Sequence, residues 1–260
     1  MQNHYKNTKF FYLTAHQNHY INQLKEYGIK IKELNLNTKY FGFRWWQLFT
    51  TKREFRKLGL EKFDLVIDLQ SKIRNTLILR KIPTDNFYSS TYNFKFCSKR
   101  RNYISIQNVV DMTINNLSLF IDKRIKKIKY DINQIPEIYI KESKRLLPNN
   151  SYIGFSITQG NIYRKKSWPI KKFIEVANKI KLKGKTPVFF IEKDKLDLID
   201  TIKSSVPSAL FPEHNSKISC PALVTALSKR MDKVISIDNG IMHMISLANI
   251  PMIVLFGPTN

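Results

Sequence analysis

The sequence predicts an α/β protein of two halves, each organised around a parallel sheet, and three observations carry that expectation. Short apolar segments recur at residues 152–157, 187–191, 234–237 and 252–256, each of a length that suits a buried strand. Segments with helical apolar spacing alternate with them at 170–183, 195–204, 221–229 and 241–249, and alternation of strand with helix is the pattern of parallel pairing. A polar connection around 142–150, punctuated by Pro136 and Pro148, separates this series from an earlier strand signal at 63–69. The halves are therefore assigned to residues 1–148 and 149–260.

In the first half, residues 10–14 form a short apolar run that reads as a strand. A polar segment follows and regains helical spacing at Tyr20, Ile21, Leu24 and Tyr27, with Gly28 placed as a stop. Residues 40–60 mix aromatic residues with Lys and Arg; Trp45, Trp46 and Phe49 are assigned to the core, the alternative being an adhesive face. The segment 63–69 is short and nearly continuous in hydrophobicity, which suits a parallel strand covered on both faces, with Asp68 near its carboxyl end. Beyond it the pattern is ragged until helical spacing returns at about 108–121. No internal repeat is found.

With 43% hydrophobic and 25% charged residues over 260 positions, the chain has the composition of a folded globular protein, which excludes wholesale disorder and fibrous repeats. A formal charge of +24 favours anionic partners: nucleic acid, phosphorylated small molecules or an acidic lipid surface. Compositional drift toward Lys, Asn and Ile is the plainer explanation of the same number. Cys97 and Cys220 lie too far apart to form a disulfide framework or a paired metal-ligand motif, so a reducing cytoplasm is the expected location. No apolar run is long enough to span a membrane and the first residues lack a signal-peptide core, so any membrane contact is expected to be peripheral.

The sharpest cluster lies near the carboxyl end. Residues 234–238 read as a buried strand ending in the carboxylate of Asp238, Asn239-Gly240 is a turn signal, and helical spacing runs from Ile241 to Asn249, where Pro251 forbids continuation. In an open parallel sheet, ligands bind outside the carboxyl ends of strands, where unpaired helix amides attract phosphate. His243 lies in the first helical turn and reaches the same rim, and the next strand ends on it with Gly257-Pro258-Thr259. Singly, these are ordinary turns, a satisfied histidine on a buried helix and a capping aspartate. Together they converge on one crevice.

The run from Asp238 through Asn239, Gly240, Ile241 and Met242 to His243, continued by Ala248, Pro251 and Phe256-Gly257-Pro258-Thr259, resembles the carboxyl-half signature of glycosyltransferase family 9, the ADP-heptose:lipopolysaccharide heptosyltransferases. Residues 154–158 followed by Lys166-Ser167-Trp168-Pro169 are similar to that family's strand, loop and Lys-x-Trp-Pro segment, and 63–70 with Arg74 resembles its acceptor-side strand. The resemblance implies two Rossmann-like doubly wound parallel-sheet domains in the glycosyltransferase B-type fold. The amino-terminal domain presents the acceptor and the carboxyl-terminal one binds the nucleotide sugar. It implies inverting, metal-independent transfer from ADP-heptose or a related sugar to a lipopolysaccharide-core acceptor, with the ADP-sugar as co-substrate and no other cofactor. The work would take place in the cytoplasm, peripherally on the inner face of the cytoplasmic membrane. The implied donor-binding residues are Thr158, Lys166, Asp238, Asn239, Gly240, His243, Gly257, Pro258 and Thr259; Arg74 is the acceptor-side candidate. Lys165 takes the place of Lys166 if the loop is shifted by one, and either could be a solvated lysine. Thr158 could equally satisfy backbone, and the acids of the 192–194 loop either reach the ribose or face solvent.

Two departures bear on chemistry. Family members carry a hydroxyl residue where this chain has Asn239, which exchanges a hydroxyl contact to phosphate for an amide. They also open with a strand and a Gly-Asp loop linked to the catalytic carboxylate, and no Gly-Asp pair occurs here. The expectation is an incomplete amino-terminal domain that starts at the family's second strand, and an end that stops after the glycine loop. Asp68 is then the available substitute base, with fixing the next turn or meeting Arg74 as its alternatives. Gly184-Lys185-Thr186 reads as a helix stop, because position 179 is Lys and the triplet follows a helix. His16 and His19 lack a carboxylate partner for zinc. The competing function is a catalytically impaired family member, or a basic non-enzymatic nucleic-acid binder using the aromatic and cationic segment 94–103.

Overall fold

The computed structural model describes residues 5, 7–14, 32–35, 43–60, 62–127, 131–159 and 168–257. The helix expected around Tyr20 to Tyr27 and the histidines at 16 and 19 lie outside them, as do Lys165, Lys166, Pro258 and Thr259. The chain divides into two compact units, Met1–Lys129 and Tyr130–Asn260.

In the first unit, β1 (Phe11–Thr14) pairs in parallel with β2 (Lys32–Asn35), a strand whose polar sequence gave no signal. Helix α1 (Gln47–Lys57) follows, then β3 (Phe63–Asp68), α2 (Ile73–Leu79) and β4 (Thr84–Ser89), with β3 and β4 parallel. The expectation that β3 is covered on both faces holds. Phe63 and Val66 pack into a cluster containing Phe55, Ile78 and Phe87, whereas Leu65 and Ile67 pack into a second one around Tyr88, Leu117 and Phe120. Helix α3 (Val109–Phe120) supplies that second cluster and is capped by Asn108, whose side chain accepts the Asp111 amide at 3.0 Å.

Two expectations for this unit fail. Trp45, Trp46 and Phe49 are not core residues, being 52, 53 and 87% exposed. The inner stripe of α1 is formed instead by Gln47, Thr51 and Phe55, which recur every four residues and leave the aromatic positions outside. Conversely, the 94–103 segment does not present Phe94 for stacking on bases, whereas Phe96 and Tyr103 are half-buried. Phe94 is buried and stacks on Tyr103 at 4.7 Å, whose hydroxyl donates to the Lys99 carbonyl at 2.7 Å.

The second unit begins earlier than expected, at residue 130 instead of 149, because helix α4 (Glu137–Leu146) packs within it. Its buried Tyr139 and Ser143 face that core, and Arg230 clamps the chain beyond α4 by donating to the carbonyls of Leu147 and Asn149 at 2.6 and 2.9 Å. The remaining elements are β5 (Tyr152–Ser156), α5 (Ile170–Leu182), β6 (Thr186–Phe190), α6 (Leu196–Ser205), α7 (Pro221–Ser228), β7 (Met231–Ile237), α8 (Gly240–Ser246) and β8 (Met252–Leu255). Every pairing in its sheet is parallel and the order is β6-β5-β7-β8, extended past β6 by a parallel bridge from Val188 to Leu210. Gly184 ends α5 in the left-handed region at φ 73°, with the Lys185 amide returning to the Ile180 carbonyl, so the helix-stop assignment stands. Helix α7 is apolar all round because residues 222–228 are all buried.

One face of the sheet is filled by aromatic rings: Phe155 stacks on Phe189 at 4.7 Å and meets Phe173 edge-on at 6.5 Å. The central strand β5 carries Gly154, where a Cβ would lie 2.7 Å from Val234 Cγ2 and 3.3 Å from Phe190 Cε2. Gly154→Ala should therefore destabilise the protein by about 1–3 kcal/mol through overpacking, with partial recovery in the double variant with Val234→Ala. Urea denaturation checks this, and an unaltered midpoint in Gly154→Ala would contradict the packing described.

Candidate functional site

The order of strands reverses direction between β5 and β7: the chain winds to β6 on one side and to β7 and β8 on the other. Loops leaving the carboxyl ends of β5 and β7 consequently diverge and open a crevice, the usual ligand position in such sheets. At its floor the buried Ser156 and Ser236 stand side by side as register partners.

Asn239 joins the two strand ends. Its backbone is extended, its Oδ1 accepts the Met242 amide at 2.8 Å as the cap of α8, and its Nδ2 donates to Ser156 Oγ at 2.8 Å and to the Thr158 carbonyl at 2.7 Å. The residue that departs from the family pattern is thus the helix cap, a role the sequence had left to Asp238. An amide does what a lone hydroxyl cannot here, since its NH2 donates twice while its oxygen accepts, whereas a hydroxyl has a single proton to donate.

Other candidates gather at the same rim. Thr158 is 7% exposed and its Oγ1 is buried with no hydrogen-bond partner, so the satisfied-backbone alternative does not describe it. A buried polar atom without a partner is costly and is commonly where a ligand atom docks. Asp238 is half-buried just past β7. Gly240 is exposed, and a Cβ there would have nothing within 4 Å. His243 is exposed on α8. Gly257 follows β8 on the same edge. The amides of Gly240 and Ile241 precede the first intrahelical bond and have no partner within the helix.

A cluster that the sequence signalled only in part flanks this crevice beyond β6. Glu192 follows the strand and Glu213 sits in a 3-10 turn at Pro212–Asn215; each has a buried Oε2 without a partner. Ser219 Oγ donates to Glu213 Oε1 at 3.0 Å, and Lys193 Nζ donates to the Ser216 carbonyl at 2.9 Å. Burial, reinforced by the charge of Glu192, pushes the Glu213 carboxyl up to about 7. Nearby Glu142 behaves oppositely: Arg145 binds it through two bonds of 2.7 and 2.8 Å, Ser216 Oγ donates at 2.7 Å, and its carboxyl falls to about 2. The Pro-Glu-His-Asn run at 212–215 was the available signal, but only the Val188–Leu210 bridge reveals that it lands on the rim.

The first unit answers differently. Asp68 is 1% exposed and both its oxygens are engaged, Oδ1 by the Gln70 amide at 3.0 Å and Oδ2 by Thr76 Oγ1 at 2.5 Å and Ser89 Oγ at 2.9 Å. A carboxylate so enclosed cannot meet a substrate hydroxyl, which removes it as the candidate base; it fixes the turn after β3 and ties that turn to α2 and β4. It makes no pair with Arg74, whose buried Nε has no hydrogen-bond partner.

Comparison with known proteins bears on this arrangement. Residues 51–260 match the model of glycosyltransferase family 9 (heptosyltransferase). No curated protein sequence matches the chain. A glycosyl transferase family 9 structure from Veillonella parvula DSM 2008 is similar at a TM-score of 0.64 and 21% identity, covering 97% of this chain and 73% of that one. The E. coli heptosyltransferase WaaC with ADP gives 0.65 and 15%, covering 100% and 80%; E. coli ADP-heptose lps heptosyltransferase II gives 0.53 and 14%, covering 100% and 78%. At these identities the likeness shows the fold, and it bears out the two-domain glycosyltransferase B-type expectation.

The raised Glu213 carboxyl has a pH signature. The native state holds this proton up to about 7 whereas the unfolded chain releases it near 4.5, so stability is fully present below 4.5 and declines as pH rises toward 7. Glu213→Gln should be more stable than the parent at pH 8, by up to roughly 3 kcal/mol, and about equal at pH 4. Denaturation at the two pH values checks it, and an equal difference at both would contradict the burial argument.

Proposed function

The chain belongs to glycosyltransferase family 9, the heptosyltransferase family, and from that premise we propose that it transfers heptose or a related sugar from an ADP-sugar to a lipopolysaccharide-core acceptor. The observation that carries the donor assignment is the crevice at the strand-order reversal, where the Asn239 amide ties the Asn239-Gly240 turn to the Thr158 carbonyl and the Thr158 Oγ1 is buried with no hydrogen-bond partner among the described residues. The similar E. coli enzyme has been solved with ADP and with ADP-2-deoxy-2-fluoro heptose, and the proposal brings that class of ligand to this chain.

In the proposed reaction, the acceptor hydroxyl gives its proton to a carboxylate base and attacks the anomeric carbon from the face opposite the diphosphate, which leaves with the electron pair of the broken glycosidic bond and so inverts the configuration. Negative charge grows on the diphosphate as the glycosidic bond breaks, and preorganised donors aimed at it lower the barrier. Candidates are the amides of Gly240 and Ile241, His243, the Lys166 ammonium and the Gly257-Pro258-Thr259 loop. These groups make the transfer metal-independent in this proposal. Asp238 orients backbone or donor hydroxyls, Glu192 accepts from the ribose, and Arg74 meets the acceptor with its unpaired guanidinium. The acceptor places the enzyme in the cytoplasm, on the inner face of the cytoplasmic membrane. Among the described residues, no helix is long and apolar enough to cross a membrane.

Gly240 provides a direct test, because the space beside it is empty and a larger side chain leaves the fold intact. Gly240→Val should weaken ADP binding by about 1–3 kcal/mol, roughly ten- to a hundredfold, the cost of an unmade charged hydrogen bond. Calorimetry with ADP, UDP and GDP measures the loss and the base preference together. Unchanged ADP affinity in the folded variant would remove the crevice as the donor site.

A further inference from the structure

The inner stripe of α1 is held firmly: Phe55 is buried edge-on to Phe63 at 5.9 Å, Thr51 Oγ1 donates to the Gln47 carbonyl at 2.6 Å, and Gln47 Oε1 accepts the Arg44 amide at 2.6 Å. A rotation of 100° per residue then fixes what the opposite side presents. Phe49, Lys52, Arg53 and Arg56 stand exposed on that side, and Trp45 and Trp46 stand exposed in the turn that leads into the helix. The single acid within α1, Glu54, is met by Lys57 at 3.3 Å and Arg53 at 3.4 Å, so it leaves the cationic character of the face intact.

We propose that this outward face of α1 docks the protein on an anionic lipid surface. It deepens the placement at the inner membrane face proposed above by naming the surface that makes the contact. Indole and phenyl rings are favoured at the boundary between headgroups and acyl chains, and Lys or Arg beside them meets lipid phosphate. Three exposed rings on a soluble face cost solvation that a bilayer recovers. The charge of +24 supplies long-range attraction to such a surface. Nucleic acid is the poorer occupant, because stacking would require rings interleaved with the cations. Here the rings gather at one end of the helix and the cations at the other.

The test is co-sedimentation of the full chain with phosphatidylcholine vesicles, with and without phosphatidylglycerol. Partition onto vesicles needs neither donor nor turnover, so loss of docking and loss of sugar transfer are separate outcomes. Binding is expected on the anionic vesicles only and should fall steeply with salt. The triple variant W45S/W46S/F49S should bind at least about tenfold more weakly, and K52E/R53E/R56E about a hundredfold more weakly. All six positions are exposed, and circular dichroism confirms that each variant is folded. In a Trp168→Phe background, the emission of Trp45 and Trp46 should shift to the blue on anionic vesicles. Three results would overturn the proposal: equal binding to both vesicle types, undiminished binding of the folded triple variants, or binding of a ribo-oligonucleotide through these residues without vesicle partition.

Discussion

The crevice at the strand-order reversal depends on the side chain of Asn239. Two parallel strands end beside each other where the sheet order reverses, and nothing in strand pairing itself determines how the loops beyond them are spaced. Asn239 determines it, with its oxygen on the Met242 amide and its nitrogen shared between Ser156 Oγ and the Thr158 carbonyl. Start of helix, end of β7 and end of β5 are thereby one hydrogen-bonded unit. A serine or threonine in that position could cap the helix, but its hydroxyl has one proton and could not donate to both Ser156 and Thr158. The amide therefore adds a structural tie where the family carries a hydroxyl.

That tie is useful only because the strands beneath it are closely set. Gly154 lets Val234 and Phe190 approach β5 from both sides, and the stacked rings of Phe155 and Phe189 lock the same strand from one face. Packing at this density transmits position along β5 to Thr158, whose buried Oγ1 has no hydrogen-bond partner among the described residues. The Glu192 and Glu213 pair repeats the pattern on the flank: two buried carboxyl oxygens with no donor among the described residues. Buried polar atoms without a partner also occur in the first unit, at Arg74, Asn75 and Tyr88, so it is the place in the fold that gives each its meaning.

Much of this was legible in the sequence, for identifiable reasons. The second unit's strands are short apolar runs and its helices have clean apolar spacing, so β5 to β8 and α5 to α8 were all anticipated within a few residues. The Asn239-Gly240 turn and Gly257 were placed on one rim because each follows a short apolar run that reads as a parallel strand. Other features were not legible. Strands β2 and β4 are written in polar residues and signal no alternation, and the buried role of Asp68 rests on hydroxyls of Thr76 and Ser89 that are remote in sequence. Trp45, Trp46 and Phe49 misled because hydrophobicity alone favours burial, whereas the helical register set by Gln47, Thr51 and Phe55 turns them outward. The division into units differs from the sequence reading because Pro148, just after α4, marks a local connection, while the helix itself packs against α7.

The central claim is that a nucleotide diphosphate occupies the crevice spanned by Asn239. Amide hydrogen exchange of the full chain with and without saturating ADP tests it most directly, because the readout is positional and does not depend on turnover. The account predicts added protection at residues 156–159 and 238–243, with little change at β3, β4 or α1. Protection confined to the first unit, or absent at 238–243 when calorimetry shows ADP bound, would contradict it.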